Sequence, residues 1–350
     1  MPPHVVLTCM SRRFTAASLR YWLTHHQRAG VSRVLLRWEH AHADDACAAV
    51  LADFAAFATV LETAPPPAID SPEATIARQV AFVTAALAHV RGEGPEGPDA
   101  TWLVHIDDDE LLFSARALTL GDAFALVPAA ADNAILSNLE AVREDSASGC
   151  RAQAPTAPFY SSDELLFRRG VAGYANGKAA ARCGAPHVRP LGVHRFAGTT
   201  PFTMPGDALV VLHFDVLDIP SWQQKFRQRG RKLEAPALAT LAATPMVRDL
   251  PYYWQSLHAS DLDVEAVFRR YRTVDGHVMD LGLDTQLLER VHFDRRPMSP
   301  LTLPPPALPL GAAQRPPPLT LPLTPYSPTV TLTEPLSGYV LSEFGDTPCE

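Results

Sequence analysis

Four consecutive carboxylates, Asp107, Asp108, Asp109 and Glu110, stand inside the stretch TWLVHIDDDELLF, Thr101 to Phe113. Like charges this close repel one another, and they are costly at a buried strand end unless a positive partner meets them. The spacing Asp107-x-Asp109 points to one kind of partner. Side chains of an extended chain alternate with period two, so these two carboxylates face the same side and can share a divalent cation or its waters. All-oxygen ligand sets suit Mg2+ or Mn2+, ions that commonly hold substrate phosphates as well. The chemistry implied is capture of a metal-bound diphosphate. The competing reading is a solvated acidic turn, in which such a pattern also occurs.

Composition narrows the function classes. The chain has 350 residues, 47% of them hydrophobic, with a formal net charge of -8 and no long basic run, which argues against a nucleic-acid partner. Cys9, Cys47, Cys150, Cys183 and Cys349 are widely spaced and form no CxxC pair, so neither a zinc site nor a disulfide framework is expected. A reducing, cytoplasmic setting and a soluble protein follow as expectations, with peripheral membrane association left open. MPPHVVLTCMSRR places its apolar run before its basic residues, the reverse of a signal peptide. No run of about 18 uninterrupted apolar residues exists, so no membrane span is expected.

The elements that must position the carboxylates show in the hydrophobic periodicity. HVVLTCM reads as a buried strand, and Thr15 caps a helix whose Leu19, Trp22, Leu23 and His26 share one face. Gly30 ends that helix. VSRVLLRW reads as a strand, DDACAAVLADFAAF as a helix and FATVLE as a strand. Ser71, Pro72 and Glu73 open a helix with Ile76, Val80, Val83, Leu87 and Val90 as its apolar face. Thr101 to His105 is then the strand that carries the acidic run. This alternation predicts an α/β fold with a mostly parallel sheet and helices on both faces. Ligands in such sheets bind beyond the carboxyl ends of the strands, where the acidic run lies.

Further along, SARALTLGDAFALVPAA reads as a helix and NAILSNLEAV as one strand. FYSSDELLFRRGVAGYANGKAAARC has loop composition, and DALVVLHFDV reads as a strand. IPSWQQKFRQRGRKL and DVEAVFRRYRTV read as helices. Of the last 54 residues 14 are proline, which cannot hold a helix or an interior strand. The expected organisation is one domain over 1–296 and an extended or disordered proline-rich tail over 297–350.

WLVHIDDDELLF resembles the Trp-hydrophobic-hydrophobic-Asp-x-Asp-Glu-Phe segment of GT-A glycosyltransferases, in particular the family 2-like and family 92-like group. Three further segments agree in order. LRYWLTHHQRAGVSRVLL is similar to that group's helix-to-strand unit at Trp22, Leu23, His26, Gly30 and Val31. LRWEHAHADD is similar to its second strand end at Asp44 and, conservatively, Glu39. VLHFDVLDIPSWQQKFRQRG resembles its late segment at His213, Phe214, Ser221, Lys225 and Gly230. The group's Asn-Glu after the first strand has no counterpart in CMSRRFT, and Leu111 replaces its Phe, departures that fall mainly on the nucleotide side.

The resemblance implies a GT-A-like, Rossmann-like fold, with a nucleotide-sugar half over 1–115 and an acceptor half over 116–296. It implies transfer of a sugar from a nucleotide-diphosphate sugar, a UDP-sugar first, to a hydroxyl of a glycan, lipid or protein acceptor, with Mn2+ or Mg2+ as cofactor. Asp107 and Asp109 would hold the metal with His213, for which His194 is a rival. Lys178 and Arg182 would hold the diphosphate, and Glu39 and Asp44 would read uridine or ribose. A solvated lysine, a core histidine and a helix-capping Asp44 are the structural alternatives. An inverting transferase needs a carboxylate base; Glu140, Glu144, Asp145, Asp163 and Glu164 are candidates, with Glu140 best placed after the strand AILSN. His105, Trp22 and Trp38 read as structural. Two other functions stay open: a non-catalytic descendant that keeps the nucleotide-sugar site, and a metal-dependent phosphohydrolase.

Overall fold

The computed structural model describes residues 2–12, 14–39, 45–63, 72–93, 100–144, 165–168 and 177–214, with 268, 273–274, 279–280, 283–285 and 287–291. The chain begins with β1 (His4–Ser11), α1 (Ala16–Arg28), β2 (Arg33–Trp38), α2 (Asp45–Asp53), β3 (Ala58–Thr63) and α3 (Pro72–Glu93). It continues with β4 (Thr101–His105), β5 (Glu110–Phe113), α4 (Leu120–Ala125), β6 (Asn133–Leu136), β7 (Asn138–Glu144) and β8 (Leu165–Arg168). There follow β9 (Lys178–Arg182), β10 (Arg189–Pro190), β11 (Phe196–Ala197), β12 (Pro201–Thr203), β13 (Val210–His213), β14 (Thr273–Val274) and β15 (Leu288–Val291).

Among the described residues the main sheet has the order β12-β6-β9-β4-β1-β2-β3. β4, β1, β2 and β3 run parallel, while β9 runs antiparallel to both of its neighbours. Alternation sorts the strand side chains onto two faces. Val5, Leu7, Val34, Leu36, Trp102 and Val104 pack with Leu19, Trp22 and Leu23 of α1, Val50 of α2 and Phe124 of α4. Val6, Leu35 and Leu103 pack with Val83, Ala86, Leu87 and Val90 of α3. Helices therefore cover both faces of a largely parallel sheet. A second sheet has the order β15-β8-β7-β13-β5, with β14 beside β7.

The local chemistry accounts for α1. Thr15 Oγ1 accepts from Ser18 N at 3.2 Å and Ser18 Oγ accepts from Thr15 N at 2.9 Å, a reciprocal cap on two orphan donors. Gly30, at φ +92°, takes the left-handed position after the last turn.

Four sequence expectations are corrected. Ile76 is exposed rather than part of the packed face of α3. NAILSNLEAV is two strands, broken at Ser137, that belong to different sheets. The long helix expected around Leu120 is a six-residue one. The supposed loop before Cys183 contains β8 and β9, the latter in the interior of the main sheet. Alanine is a poor strand former on its own, and Ala179, Ala180 and Ala181 form one because β4 and β6 pair with both edges of β9. The helix expected over IPSWQQKFRQRGRKL and nearly all of that over DVEAVFRRYRTV lie outside the described residues. The chain divides after Leu301 into two units; the second, and the whole tail from 297, also lie outside them. Among the described residues no helix is long and apolar enough to cross a membrane.

Candidate functional site

The chain passes from the main sheet to the second sheet through the acidic run. β4 ends at His105, and β5 begins the second sheet at Glu110. Between them Glu110 N donates to Asp107 O at 3.2 Å, which closes a turn. The aspartates are therefore not on an extended chain, and period two does not govern them. Each meets a different partner at the carboxyl ends of β1 and β4.

Asp107 meets Lys178. Because β9 runs antiparallel to β4, its first residue arrives at this edge. Gly177 makes the arrival possible. It has φ +60°, and a Cβ there would stand 1.9 Å from Leu136 O. Lys178 Nζ, fully buried, donates to Asp107 Oδ2 at 2.6 Å and lies 3.3 Å from Glu110 Oε2. Gln79 Nε2 donates to Asp107 Oδ1 at 2.7 Å, and Asp107 N donates to Glu110 Oε2 at 2.7 Å. Burial alone would lower the Lys178 ammonium, but Asp107 and Glu110 reverse this and raise it. Burial alone would raise Asp107; Lys178 outweighs it and holds the carboxyl well below its usual range. Burial pushes Glu110 up, against the pull of Lys178. His105 and His194 are both lowered to about 4, by burial first and then by Lys178. His105 Nδ1 lies 3.1 Å from Thr8 Oγ1, and His194 Nδ1 donates to Gly177 O at 2.8 Å.

Asp109 turns to His213. β13 lies between β7 and β5, with His213 in register with Glu140 on one side and Glu110 on the other. The His213 ring places Nδ1 2.7 Å from Glu140 Oε2, and Asn138 Nδ2 donates to Glu140 Oε1 at 2.6 Å. Its Nε2 faces Asp109 Oδ1 at 3.8 Å, while Phe214 N donates to Asp109 O at 2.8 Å. A carboxylate oxygen and a ring nitrogen across that gap are matched to a cation, either a proton on Nε2 or a metal ion. The pair offers one oxygen and one nitrogen, not the all-oxygen set that the sequence pattern suggested for Mg2+ or Mn2+. Asp107 is not part of this pair. Among the described residues no group of three or more His, Cys, Asp or Glu side chains is arranged to hold a metal.

The other expected residues lie as follows. Glu39 is buried at the carboxyl end of β2, and its oxygens accept from Arg12, from Arg37 at 3.4 Å and from Arg78 at 2.7 Å. Burial would raise its carboxyl; Arg78 and Arg12 outweigh that and lower it. Glu39 thus organises a group of guanidinium groups rather than presenting a carboxylate to a nucleotide. Asp108 Oδ2 accepts from Ser11 Oγ at 2.9 Å and Arg12 N at 3.3 Å. Arg182 does not join the site. At roughly 3.3 Å per residue it lies some 13 Å along β9 from Lys178, where it donates to Ala131 O at 2.9 Å and Pro128 O at 3.2 Å and covers Trp102. Trp22 and Trp38 are core residues, and Trp22 Nε1 donates to Glu110 O at 2.9 Å. Asp44, Asp145, Asp163 and Glu164 lie outside the described residues.

Some supporting residues carry weak sequence signals. Gln79 and Asn138 carry none. Gly177 belongs to an Asn-Gly pair, a common mark of a left-handed turn position. His25 and His26 sit in the last turn of α1 and satisfy both backbone groups of Leu112 in β5. His25 Nε2 donates to Leu112 O at 2.8 Å, and Leu112 N donates to His26 Nε2 at 3.3 Å. The site is thereby tied to α1 as well as to the two sheets. Comparison with models of protein families finds none that matches this chain, and a search of curated proteins finds no match.

Proposed function

We propose that this protein is a metal-dependent glycosyltransferase of GT-A-like architecture, which moves a sugar from a nucleotide-diphosphate donor, a UDP-sugar first, to the hydroxyl of a glycan, lipid or protein. The observation that carries this reading is the acidic turn at the carboxyl edge of a largely parallel sheet, with Asp109 Oδ1 facing His213 Nε2 at 3.8 Å. Asp109 and His213 are the residues that would hold the metal. Bound there, Mn2+ or Mg2+ supplies Lewis-acid stabilisation of the leaving diphosphate. Arg12 and Arg78, partly exposed at the same edge and held by Glu39, bring positive charge to the nucleotide side. Lys178 neutralises Asp107 and Glu110 beneath the turn rather than reaching out to the donor. Glu140, the sequence's candidate for the acceptor base, is buried and held by His213 and Asn138.

The test is a thermal-shift and turnover series with UDP and UDP-sugars, with and without Mn2+, on the wild type and Asp109→Asn. A ligand that binds only the folded state raises the melting temperature by mass action. The wild type is expected to shift with nucleotide only when Mn2+ is present, and Asp109→Asn to lose that shift while melting cooperatively. Equal metal-dependent binding in both proteins would remove the metal assignment. One observation favours a second reading: the buried lysine is committed to an internal ion cluster. A non-catalytic nucleotide-sugar binder would show the same Mn2+-dependent shift with no turnover of any donor.

A further inference from the structure

We infer that His26 is an acid-sensitive latch on the free edge of β5: its neutral ring holds the strand that follows the acidic turn, and its protonated ring releases it. The inference starts from that edge. Among the described residues β5 is the last strand of the second sheet, with β13 as its partner on one side. The other edge of such a strand presents unpaired amides and carbonyls. In β5 three of these groups are met by side chains of α1. Trp22 Nε1 donates to Glu110 O at 2.9 Å, His25 Nε2 donates to Leu112 O at 2.8 Å, and Leu112 N donates to His26 Nε2 at 3.3 Å. Residues 22, 25 and 26 stand at i, i+3 and i+4 of one helix and share a face. Glu110 and Leu112 are two apart on a strand, so their backbone groups point to the same edge. The helix thus takes the place of a neighbouring strand.

The three contacts answer differently to a proton. The indole of Trp22 is a donor only. A carbonyl only accepts, so His25 Nε2 carries a proton whether the ring is neutral or charged, and its bond survives protonation. His26 has the opposite arrangement. Its Nδ1 faces Trp22 O at 2.8 Å and so carries the proton, while its Nε2 accepts from Leu112 N and so holds the lone pair. A second proton would set N–H against N–H. His26 is fully buried, and burial, then His25, holds its ring well below the ordinary histidine range. The His25 ring lies 5.1 Å away, and Arg28 acts on His25 with the same sign. On the elements packed against α1, Glu110 of β5 meets Lys178, Asp53 of α2 meets Arg20, and Asp122 of α4 meets Thr119. Burial keeps the Cys9 thiol of β1 neutral. Acid therefore opens one contact of the three. Trp22 keeps Glu110 O beside the turn, and the Leu112 amide loses its acceptor.

The experiment is amide hydrogen exchange by NMR on the full-length, metal-free protein, from mildly alkaline pH down to about pH 4.5. Leu7, in a strand paired on both edges, reports global opening. Leu112 should exchange ahead of Leu7, by local opening. Because the opened ring takes up a proton, Leu112 protection should fall by up to about tenfold per pH unit below 6.5. The 15N shifts of the His26 ring at the alkaline end should show the proton on Nδ1. In His26→Gln the side-chain oxygen can accept from Leu112 N without titrating, so most of the slope should vanish. Leu112 protection equal to that of Leu7 at every pH, or flat below 6.5, overturns the inference. A ring protonated on Nε2 overturns it as well, as does a His26→Gln protein with the wild-type slope. The wild-type readings decide the matter even if the variant fails to fold. No nucleotide or metal is added, so the result is independent of the function proposed above.

Discussion

On one side of the acidic turn Lys178 lies between Asp107 and Glu110; on the other His213 lies between Glu140 and Asp109. Both are cationic or proton-carrying groups flanked by two carboxylates, and both are largely buried. The lysine's distances are 2.6 and 3.3 Å, which close both contacts. The histidine's are 2.7 and 3.8 Å, so one contact is made and the other is left long. A fully buried ammonium with short contacts on both sides is held by its carboxylates, and opening it exposes buried charge. A planar ring fixed at one nitrogen leaves the other aimed at a carboxylate across a gap. Within one acidic cluster, the charges have met on the lysine side, whereas on the histidine side a carboxylate and a ring nitrogen stay apart.

Breaking the closed side should have the largest effect. Lys178→Met leaves the buried Glu110 and the half-buried Asp107 without their counter-ion and is expected to cost about 3–5 kcal/mol of stability, read by urea denaturation. Adding Glu110→Gln should recover part of the loss. A variant as stable as the wild type would mean that the lysine is not the counter-ion. Next comes its delivery: Gly177→Ala is expected to cost about 1–3 kcal/mol from the left-handed backbone alone, and more from the overlap with Leu136 O. An unchanged melting temperature would show that the turn relaxes freely.

A pH series sharpens the contrast by testing histidines whose burial outweighs any neighbouring carboxylate. Burial, then His25, lowers His26, and burial, then Lys178, lowers His105 to about 4 from 6.5. The unfolded chain then binds more protons than the folded one below the ordinary histidine value, so stability falls as pH drops. For His105 the window runs from 6.5 down to about 4, with a slope of up to about 1.4 kcal/mol per pH unit for each such group. A flat profile across that window would show that these rings charge in the folded protein. The smallest effect is expected at Asp108. Its bonds from Ser11 and Arg12 go to a single oxygen, which Asn can supply, so Asp108→Asn should change stability by less than about 0.5 kcal/mol, whereas Asp108→Ala should lose both of these.

Much of the architecture was legible because it rests on short-range periodicity. β1, β2 and β3, the cap at Thr15, the end at Gly30 and the strand leading into the acidic run all follow from burial patterns and local hydrogen bonding. The elements that were misread depend on partners distant in sequence. KAAAR has no strand signal of its own, and its pairing with β4 and β6 supplies what the alanines lack. The break at Ser137 is invisible in an apolar run because both halves are strands, and only their assignment to different sheets separates them.

At the site, residue types alone marked the acidic turn, His213, Lys178 and Glu140 as chemically significant, because clustered charge in an apolar setting demands a partner. They did not determine who meets whom. The antiparallel direction of β9 brings Lys178 to the carboxyl edge and carries Arg182 to the opposite one. The turn at Asp107–Glu110 aims the aspartates at separate partners, and the register of β13 between β7 and β5 places His213 beside Glu140. Strand direction and register are long-range pairings that no local pattern encodes, so the sequence by itself specified which groups needed neutralising, and the tertiary structure decided which charge would do it.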